Sequence, residues 1–403
     1  MNVDNIIIGG GIAGLYQGYK LFKKNKNFII LERQSYPNLD HKEIGRLYSI
    51  PNKSGMIELG ASIIHSKQTK INELIKELDL ENELEPIKNS KALYIYKNYK
   101  SDDVKKIWRE LNNKLKKNLH TFPVDFTLQD ACQSLFTKQE YDLYSICYGE
   151  WFEINLQNVH IYLNELEKQG NYIKFKNGIE KIVIKLRELL KDHILYEKEV
   201  KYIRTNFNYN LFTINGEEFI CNKLFICTSI SVAKNLIYIG RLKYIIKEYL
   251  SLGFKRSCYR LYVEFDRPLN IKESFIMGDF ESRWSLKVSE NLWLISYTDG
   301  PLSDFLTNKK EKTLVNNWIK DMNNYFSIND PSWINITSKN VKNLLGGYWS
   351  DAYTVLDKKF YAIVNDTFYG EQVRYLLPKN LVITCLPNGL GENTSWMEGH
   401  LFN

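Results

Sequence analysis

Three glycines and one glutamate near the start of the chain have types and spacing that suit a phosphate ligand. Gly9, Gly11 and Gly14 follow the pattern G-x-G-x-x-G, and Glu32 ends the next apolar run. The first glycine of such a pattern permits a tight turn, the second lets the backbone approach a pyrophosphate, and the third lets a helix pack closely. Glu32 is placed to accept hydrogen bonds from an adenosine ribose. These residues predict dinucleotide binding, with a ligand-free glycine-rich turn as the alternative.

Two strands and one helix must position these residues. Apolar runs at residues 5–8 and 28–31 predict strands, and residues 12–22 predict the helix between them. The helix start would present free N–H groups and a partial positive charge to the phosphates. Ala13 in this helix and Arg33 after the second strand are expected to add cofactor contacts.

Composition excludes several classes of protein. The chain has 403 residues, enough for two domains, and its net charge of +7 comes from lysines scattered among acids, which does not indicate nucleic-acid binding. The sequence contains no run of 18 or more apolar residues, so no membrane span is expected. The six cysteines form no C-x-x-C pair, which predicts buried free thiols, and the first residues carry no basic leader. A cytoplasmic location is therefore expected.

The remaining patterns predict two interleaved domains. Helices are expected at 69–84, 102–119, 127–136, 138–147, 155–168, 179–190 and 309–326. The apolar run 224–227 predicts a central parallel strand, 194–204 and 257–265 predict further strands, and 346–349 is expected to begin a loop. A nucleotide domain would comprise 1–69, 169–250 and 376–403. A substrate domain with a helical insertion would comprise 70–168 and 251–375.

The combination of motifs resembles the flavin-containing amine oxidases, which include monoamine oxidases, polyamine oxidases and related histone demethylases. Residues 6–14 with Glu32 match the family's FAD fingerprint, and 45–46 match the end of its Gly-Gly-Arg element, whose arginine contacts FAD. Residues 58–65 resemble the segment that lies against the flavin ring. The resemblance implies an α/β fold, with a Rossmann-like FAD-binding domain interleaved with an α+β substrate domain. It also implies cofactor contacts from Arg46, Gly60, Ala61 and Ser62.

The same resemblance extends to later segments. The element at 177–178 and the strand opened by Val200, whose backbone would read the adenine edge, both have counterparts in the family. Residues 393–399 resemble the start of the helix that points at the flavin, so the backbone N–H of Met397 would face the flavin O2. Trp396 and Tyr353 would form the two walls of an aromatic cage for an amine. Ordinary core aromatics are the alternative for both.

Several departures from the family affect the expected chemistry. Arg260 stands where the family has a lysine near the flavin N5, and arginine cannot supply a tunable amine. A strand arginine in a surface ion pair is its alternative. Ala352 stands where monoamine oxidases attach flavin covalently, so noncovalent FAD is expected. Residues 385–387 replace the family's Ala-Gly-Glu, and only 398–403 remain where the family has a full helix.

The predicted function is FAD-dependent oxidation of a primary or secondary amine or a polyamine, by hydride transfer to flavin N5. Arg260, Tyr353 and Trp396 are its candidate catalytic residues. No side-chain base and no metal are required, and His65 and His400 are expected to be structural. A desaturase-like flavin dehydrogenase with poor oxygen reactivity is one alternative, and a catalytically inactive FAD-fold scaffold is the other. The expected partner is a small amine, with no nucleic acid or membrane, and the oligomeric state stays open.

Overall fold

A computed structural model describes residues 1–35, 46–66, 68–87, 92–97, 99–149, 151–167, 172–356 and 377–385 of the chain. In chain order, the strands are β1 Asn2–Ile8, β2 Phe28–Leu31, β3 Ser49–Asn52, β4 Gly55–Glu58, β5 Ile64–His65, β6 Leu84–Pro86, β7 Ala92–Ile95, β8 Tyr172–Phe175, β9 Ile194–Leu195, β10 Val200–Thr205, β11 Tyr209–Thr213, β12 Glu218–Ile226, β13 Ile237–Gly240, β14 Gly253–Phe265, β15 Phe275–Gly278, β16 Trp284–Lys287, β17 Leu292–Asp299, β18 Val341–Leu356 and β19 Leu381–Ile383.

The α-helices are α1 Ile12–Lys23, α2 Thr69–Glu77, α3 Ser101–Lys117, α4 Leu128–Leu135, α5 Lys138–Cys147, α6 Trp151–Ile154, α7 Val159–Glu167, α8 Lys181–Leu189, α9 Ile230–Asn235, α10 Lys243–Ser251, α11 Gly300–Thr307 and α12 Glu311–Asn329. Thr127 and Thr137 begin α4 and α5 with capping boxes, in which Asp130 and Glu140 return the hydrogen bond. Within the part of the chain that the structure describes, no helix is both long and apolar enough to span a lipid bilayer.

A mixed sheet contains the nucleotide-binding unit. Its order is β13-β10-β11-β12-β1-β2-β9, and β19 also pairs with β12. The central β1 pairs in parallel with β2 and with β12, as the apolar run 224–227 predicts. Ile6 and Ile8 lie in the hydrophobic core on one side of this sheet and Ile7 in the core on the other side. Because both faces are covered, these strands are apolar throughout. The predicted α/β fold is confirmed.

A second sheet has the order β18-β14-β17-β16-β15-β7. The predicted loop at 346–349 is wrong, because β18 runs through these residues and pairs with β14. The glycines there permit close approach rather than a turn. A Cβ on Gly346 would lie 2.1 Å from Oε1 of Glu311, and one on Gly347 would lie 3.1 Å from the Leu59 side chain.

Several predicted element boundaries are also wrong, for reasons that lie in single residues. The helix expected at 69–84 ends at Glu77, because Asp79 has a φ of +56°. The strand expected at 194–204 breaks where Glu197 has a φ of +60°. The helix expected at 155–168 begins only at Val159, and the helix expected at 179–190 begins only at Lys181. The helices α9, α10 and α11 are additional to the predicted set.

Candidate functional site

The glycine turn after β1 is as tight as its spacing predicts. Gly9 has a φ of +101°, a conformation that favours glycine. A Cβ on Gly14 would lie 1.8 Å from the carbonyl oxygen of Gly9, so α1 packs directly against the turn. The amide of Leu15 donates to the Gly11 carbonyl at 2.9 Å and closes the first turn of the helix.

The start of α1 has the properties of an anion site. Gly11 is its N-cap and has no side chain with which to cap the free amides, and no acidic residue lies in the first turn. A Cβ on Gly11 would meet no atom of the described residues within 4 Å. Uncapped helix amides facing open space suit a phosphate or pyrophosphate. The residues present therefore fit the dinucleotide that the motif predicts.

Glu32 lies at this turn, where the sequence predicts it. Its Oε2 accepts a hydrogen bond from the amide of Gly10 at 2.5 Å, and its Oε1 accepts one from the amide of Gln34 at 3.0 Å. These bonds hold the carboxylate beside the open start of α1. Ala13 is buried in the core beneath the helix, and Arg33 is exposed.

Arg46 and the segment 60–61 are packed backbone against backbone. The carbonyl of Arg46 accepts a hydrogen bond from the amide of Ala61 at 2.8 Å, and a Cβ on Gly60 would lie 2.0 Å from the same oxygen. The Nη1 of Arg46 donates to the carbonyl of Ala352 at 3.2 Å. Burial lowers the pKa of Arg46, although Asp351 opposes that shift. Gly45 lies outside the described residues.

Glu58 is a buried acid that sequence reasoning did not single out. It is 8% exposed, its Oε1 accepts from the amide of Ile179 at 2.9 Å, and its Oε2 accepts from Oγ of Ser49 at 2.6 Å. Burial raises its pKa to about 7, against the opposing effect of these donors. A carboxyl group at the end of a half-buried hairpin strand is the signal that could have identified it.

We expect Glu58→Gln to change how stability depends on pH. The folded pKa of about 7 lies above the ordinary 4.5, so the folded wild type loses stability as pH rises through this window. Glutamine cannot ionise, so above pH 7 the variant should keep about 3 kcal/mol of unfolding free energy that the wild type loses. Urea unfolding at about pH 4 and about pH 8 measures this difference, which should be small at the lower pH and close to its full size at the higher pH. An equal difference at both pH values would contradict the prediction.

Glu264→Gln serves as the matched control with the opposite sign. Hydrogen bonds from Asn343 and Ser54 lower the pKa of Glu264 to about 2. A lowered folded pKa contributes stability above the ordinary 4.5 that is lost as pH falls toward 2. This variant should therefore unfold at lower urea than wild type at neutral pH, and the deficit should shrink in acid.

Arg260 is buried and faces the Glu58 backbone. It is 6% exposed, its Nη1 donates to the Glu58 carbonyl at 2.6 Å, and its guanidinium lies 4.6 Å from the centre of the Tyr297 ring. The surface ion pair considered as its alternative is therefore wrong. Tyr262, which sequence reasoning missed, donates its hydroxyl to the same carbonyl at 2.7 Å. No local pattern signals this contact, because it joins distant parts of the chain.

The other candidate residues lie in different positions. Val200 is 7% exposed and begins β10, and Tyr353 lies in β18, where its backbone pairs with Arg256 of β14. His65 is buried and packs its ring 5.4 Å from that of Tyr172, as a structural histidine would. The structure thus brings Arg46, the segment 58–62, Arg260 and Ala352 together. Trp396, Met397 and His400 lie outside the described residues, as does the rest of 393–399. All six cysteines are buried, as predicted.

Solved structures of amine-oxidising enzymes share this fold. Wild-type putrescine oxidase bound to putrescine has a TM-score of 0.75 at 11% identity, covering 100% of this chain and 97% of that one. Cyclohexylamine oxidase from Brevibacterium oxydans IH-35A has a TM-score of 0.75 at 13% identity, covering 100% and 96%. At these identities the likeness is one of fold.

Sequence comparison adds the family. Flavin-containing amine oxidase A from Equus caballus is 22% identical over 263 residues, which cover 54% of this chain and 48% of that protein. The match thus spans about half the length of this curated relative. The sequence profile described as flavin containing amine oxidoreductase matches residues 12–355, most of the chain. The chain belongs to the flavin-containing amine oxidoreductase family.

Proposed function

We propose that the chain binds FAD noncovalently and oxidises a primary or secondary amine or a polyamine. The observation that carries the proposal is the start of α1 at Gly11, where a Cβ would meet no atom of the described residues within 4 Å and the Glu32 carboxylate is fixed nearby. Family membership makes FAD the dinucleotide that this site would take. Two separate sheets support the proposed division into a nucleotide domain (1–69, 169–250, 376–403) and a substrate domain (70–168, 251–375).

The proposed cofactor contacts fall into two groups. One group would hold the adenosine and pyrophosphate portion, and comprises Gly9, Gly11, Ala13, Gly14, Glu32, Arg33 and Val200. The other would lie near the flavin ring and ribityl chain, and comprises Arg46, Gly60, Ala61, Ser62, Trp396 and Met397. Ala352 has no thiol and cannot form a covalent link, which supports noncovalent binding.

The chemistry would come from the cofactor and the geometry from the protein. When bound, FAD would accept a hydride equivalent from the α carbon of the amine at its N5, leaving an imine that water hydrolyses. Tyr353 and Trp396 would orient the amine between two aromatic faces and stabilise its developing positive charge. A structural relative has putrescine bound and another is named for cyclohexylamine, which supports amines as the substrate class.

We expect Tyr353→Leu to weaken the use of amines. Loss of one aromatic face should lower kcat/KM by about tenfold, since a desolvated cation–π contact contributes on the order of 1–2 kcal/mol. Steady-state kinetics with an amine panel measure this change. Tyr348→Leu is the control, because Tyr348 lies on the same strand but is 43% exposed and bonds Asp304. Equal effects from both substitutions would contradict a cage role for Tyr353.

Arg260 favours one alternative, a desaturase-like dehydrogenase with poor oxygen reactivity. Arginine stays protonated and cannot exchange a proton as a lysine does. Both enzymes would bind FAD and bleach with a substrate, but only an oxidase would recolour quickly in air. An inactive scaffold, the second alternative considered from sequence, would take up no FAD.

The test of the proposal is the visible spectrum of the purified protein, before and after anaerobic addition of an amine panel. We expect flavin absorption bands that bleach with at least one primary amine, secondary amine or polyamine. Released flavin after heating would distinguish noncovalent FAD from a covalent adduct. Protein that takes up FAD yet bleaches with no amine would overturn the substrate proposal. Protein that takes up no FAD would overturn the whole proposal.

A further inference from the structure

We propose that Arg260 and Tyr262 are positioning residues that fix the segment 59–62 in place beside the flavin. The inference rests on the proposed function, since the flavin's place beside this segment is itself a proposal. Arg260 and Tyr262 lie two residues apart on β14, and both donate to the carbonyl of Glu58 at 2.6 and 2.7 Å. A carbonyl oxygen has two lone pairs, so these donors satisfy it fully and fix the direction of the peptide that leads into Leu59.

The donors are buried and hold one protonation state. Arg260 is 6% exposed and Tyr262 is 3% exposed. Burial alone would lower the pKa of Arg260, but Tyr262, Tyr297 and Cys258 together raise it, so the guanidinium stays charged. Burial raises the pKa of Tyr262 to about 12, so its hydroxyl stays protonated and can donate. A charged donor makes the stronger hydrogen bond, and low local polarity strengthens both.

The guanidinium is also held from the side of the sheet. Arg260 pairs with Tyr297 across β14 and β17, and its guanidinium lies 4.6 Å from the centre of that ring. The ring of Tyr297 packs in turn at 5.1 Å on Trp284. Arginine so constrained loses little further freedom when it bonds a carbonyl. The Nε of Arg260 is buried without a hydrogen-bond partner among the described residues.

The far side of the segment is anchored independently. The amide of Leu59 donates to the Tyr48 carbonyl at 3.0 Å, and the amide of Ala61 donates to the Arg46 carbonyl at 2.8 Å. The carboxyl group of Glu58 bonds the amide of Ile179 at the start of the segment. Segment 59–62 and the residue before it are therefore held by Arg46, Tyr48 and Ile179 as well as by Arg260 and Tyr262 of β14. These contacts would set the position of the flavin ring relative to the substrate. That position matters because hydride transfer is sensitive to small displacements of the reacting atoms.

The test uses Tyr262→Phe and Arg260→Lys, with Tyr259→Phe as the matched control. Tyr259 lies on the same strand with a similar exposure of 5%, but packs in the core on the opposite face of the sheet. Hydrogen exchange of the apoprotein reports on the segment without any cofactor. We expect exchange within 59–62 to rise about tenfold in both test variants, and to stay at the wild-type rate in the control.

A second readout separates positioning from a purely structural role. In the FAD-loaded protein, both test variants should change the visible circular dichroism and midpoint potential of the flavin, and slow its reduction by an amine about tenfold. Unchanged exchange in 59–62 would overturn the inference. Faster exchange with wild-type dichroism and potential would overturn it too. Wild-type protein that binds no FAD would instead overturn the proposed function, while exchange would still report whether the two residues hold the segment.

Discussion

Gly11→Ala should abolish tight FAD binding and leave the apoprotein folded. The Cβ of an alanine at this position would meet no atom of the described residues within 4 Å, and the backbone there, at φ −76° and ψ −179°, is accessible to any residue. The new methyl group would instead occupy the side from which the pyrophosphate approaches the helix amides. Losing two charge-assisted hydrogen bonds would cost about 3 kcal/mol, or about 100-fold in affinity. Quenching of FAD fluorescence on titration measures the loss.

Thermal unfolding of the apoprotein separates this effect from misfolding. Gly11→Ala should unfold within a few degrees of wild type, because the change affects only a helix N-cap. Gly216→Ala is the control, in which stability should fall and FAD affinity should not change. Gly216 lies in a hairpin turn at φ +82°, where alanine is strained, so this variant should lose about 1 kcal/mol of stability and keep its FAD affinity. Wild-type FAD affinity in Gly11→Ala would contradict the predicted pyrophosphate position.

Gly60→Ala should destabilise the protein far more than Ser62→Ala, a change in the same segment. The added Cβ would lie 2.0 Å from the oxygen and 2.5 Å from the carbon of the Arg46 carbonyl. Both are backbone atoms, so no rotamer change relieves the clash. Moving the two segments apart would break the bond from Ala61 to Arg46, with an expected loss of about 2–4 kcal/mol.

Urea unfolding of the apoprotein measures this loss, with Ser62→Ala as the neighbouring control. Ser62 is half-buried, and its replacement should change the unfolding free energy by about 0.5 kcal/mol or less. In Gly60→Ala, the displaced Arg46 should also weaken FAD binding, through its proposed contact with the cofactor. An unfolding midpoint equal to that of wild type would show that Arg46 and Gly60 do not pack as closely as described.

Local patterns predicted the nucleotide-binding unit well. The strand Phe28–Leu31 begins and ends where its apolar run does, and α1 begins at Ile12 as expected. Both elements are specified by near neighbours in sequence, since the glycine turn, the apolar strands and the helix period all act within a few residues. The two helices capped by Thr127 and Thr137 follow the same logic, because a capping box is a signal that spans only four residues.

Contacts between distant residues could not be predicted this way. Arg260 and Tyr262 meet the Glu58 carbonyl across more than 200 residues of sequence. Nothing local to β14 distinguishes an arginine that bonds a carbonyl from one that faces solvent. The loop predicted at 346–349 is wrong for a related reason. Glycine occurs where a strand packs closely against its neighbours as well as in turns, and the local sequence does not distinguish the two. The helix α2 ends just before Asp79, which has a positive φ. Because neither glycine nor proline stands at that position, the sequence does not indicate the end of the helix.

A crystal structure of the protein grown with FAD would test the proposed cofactor site most directly. We expect density for the pyrophosphate within hydrogen-bonding distance of the first amides of α1, the adenosine ribose at Glu32, and the flavin ring against 59–62. A dinucleotide bound elsewhere on the chain would contradict the proposal. So would a groove above Gly11 filled by the protein's own side chains in fully FAD-saturated crystals.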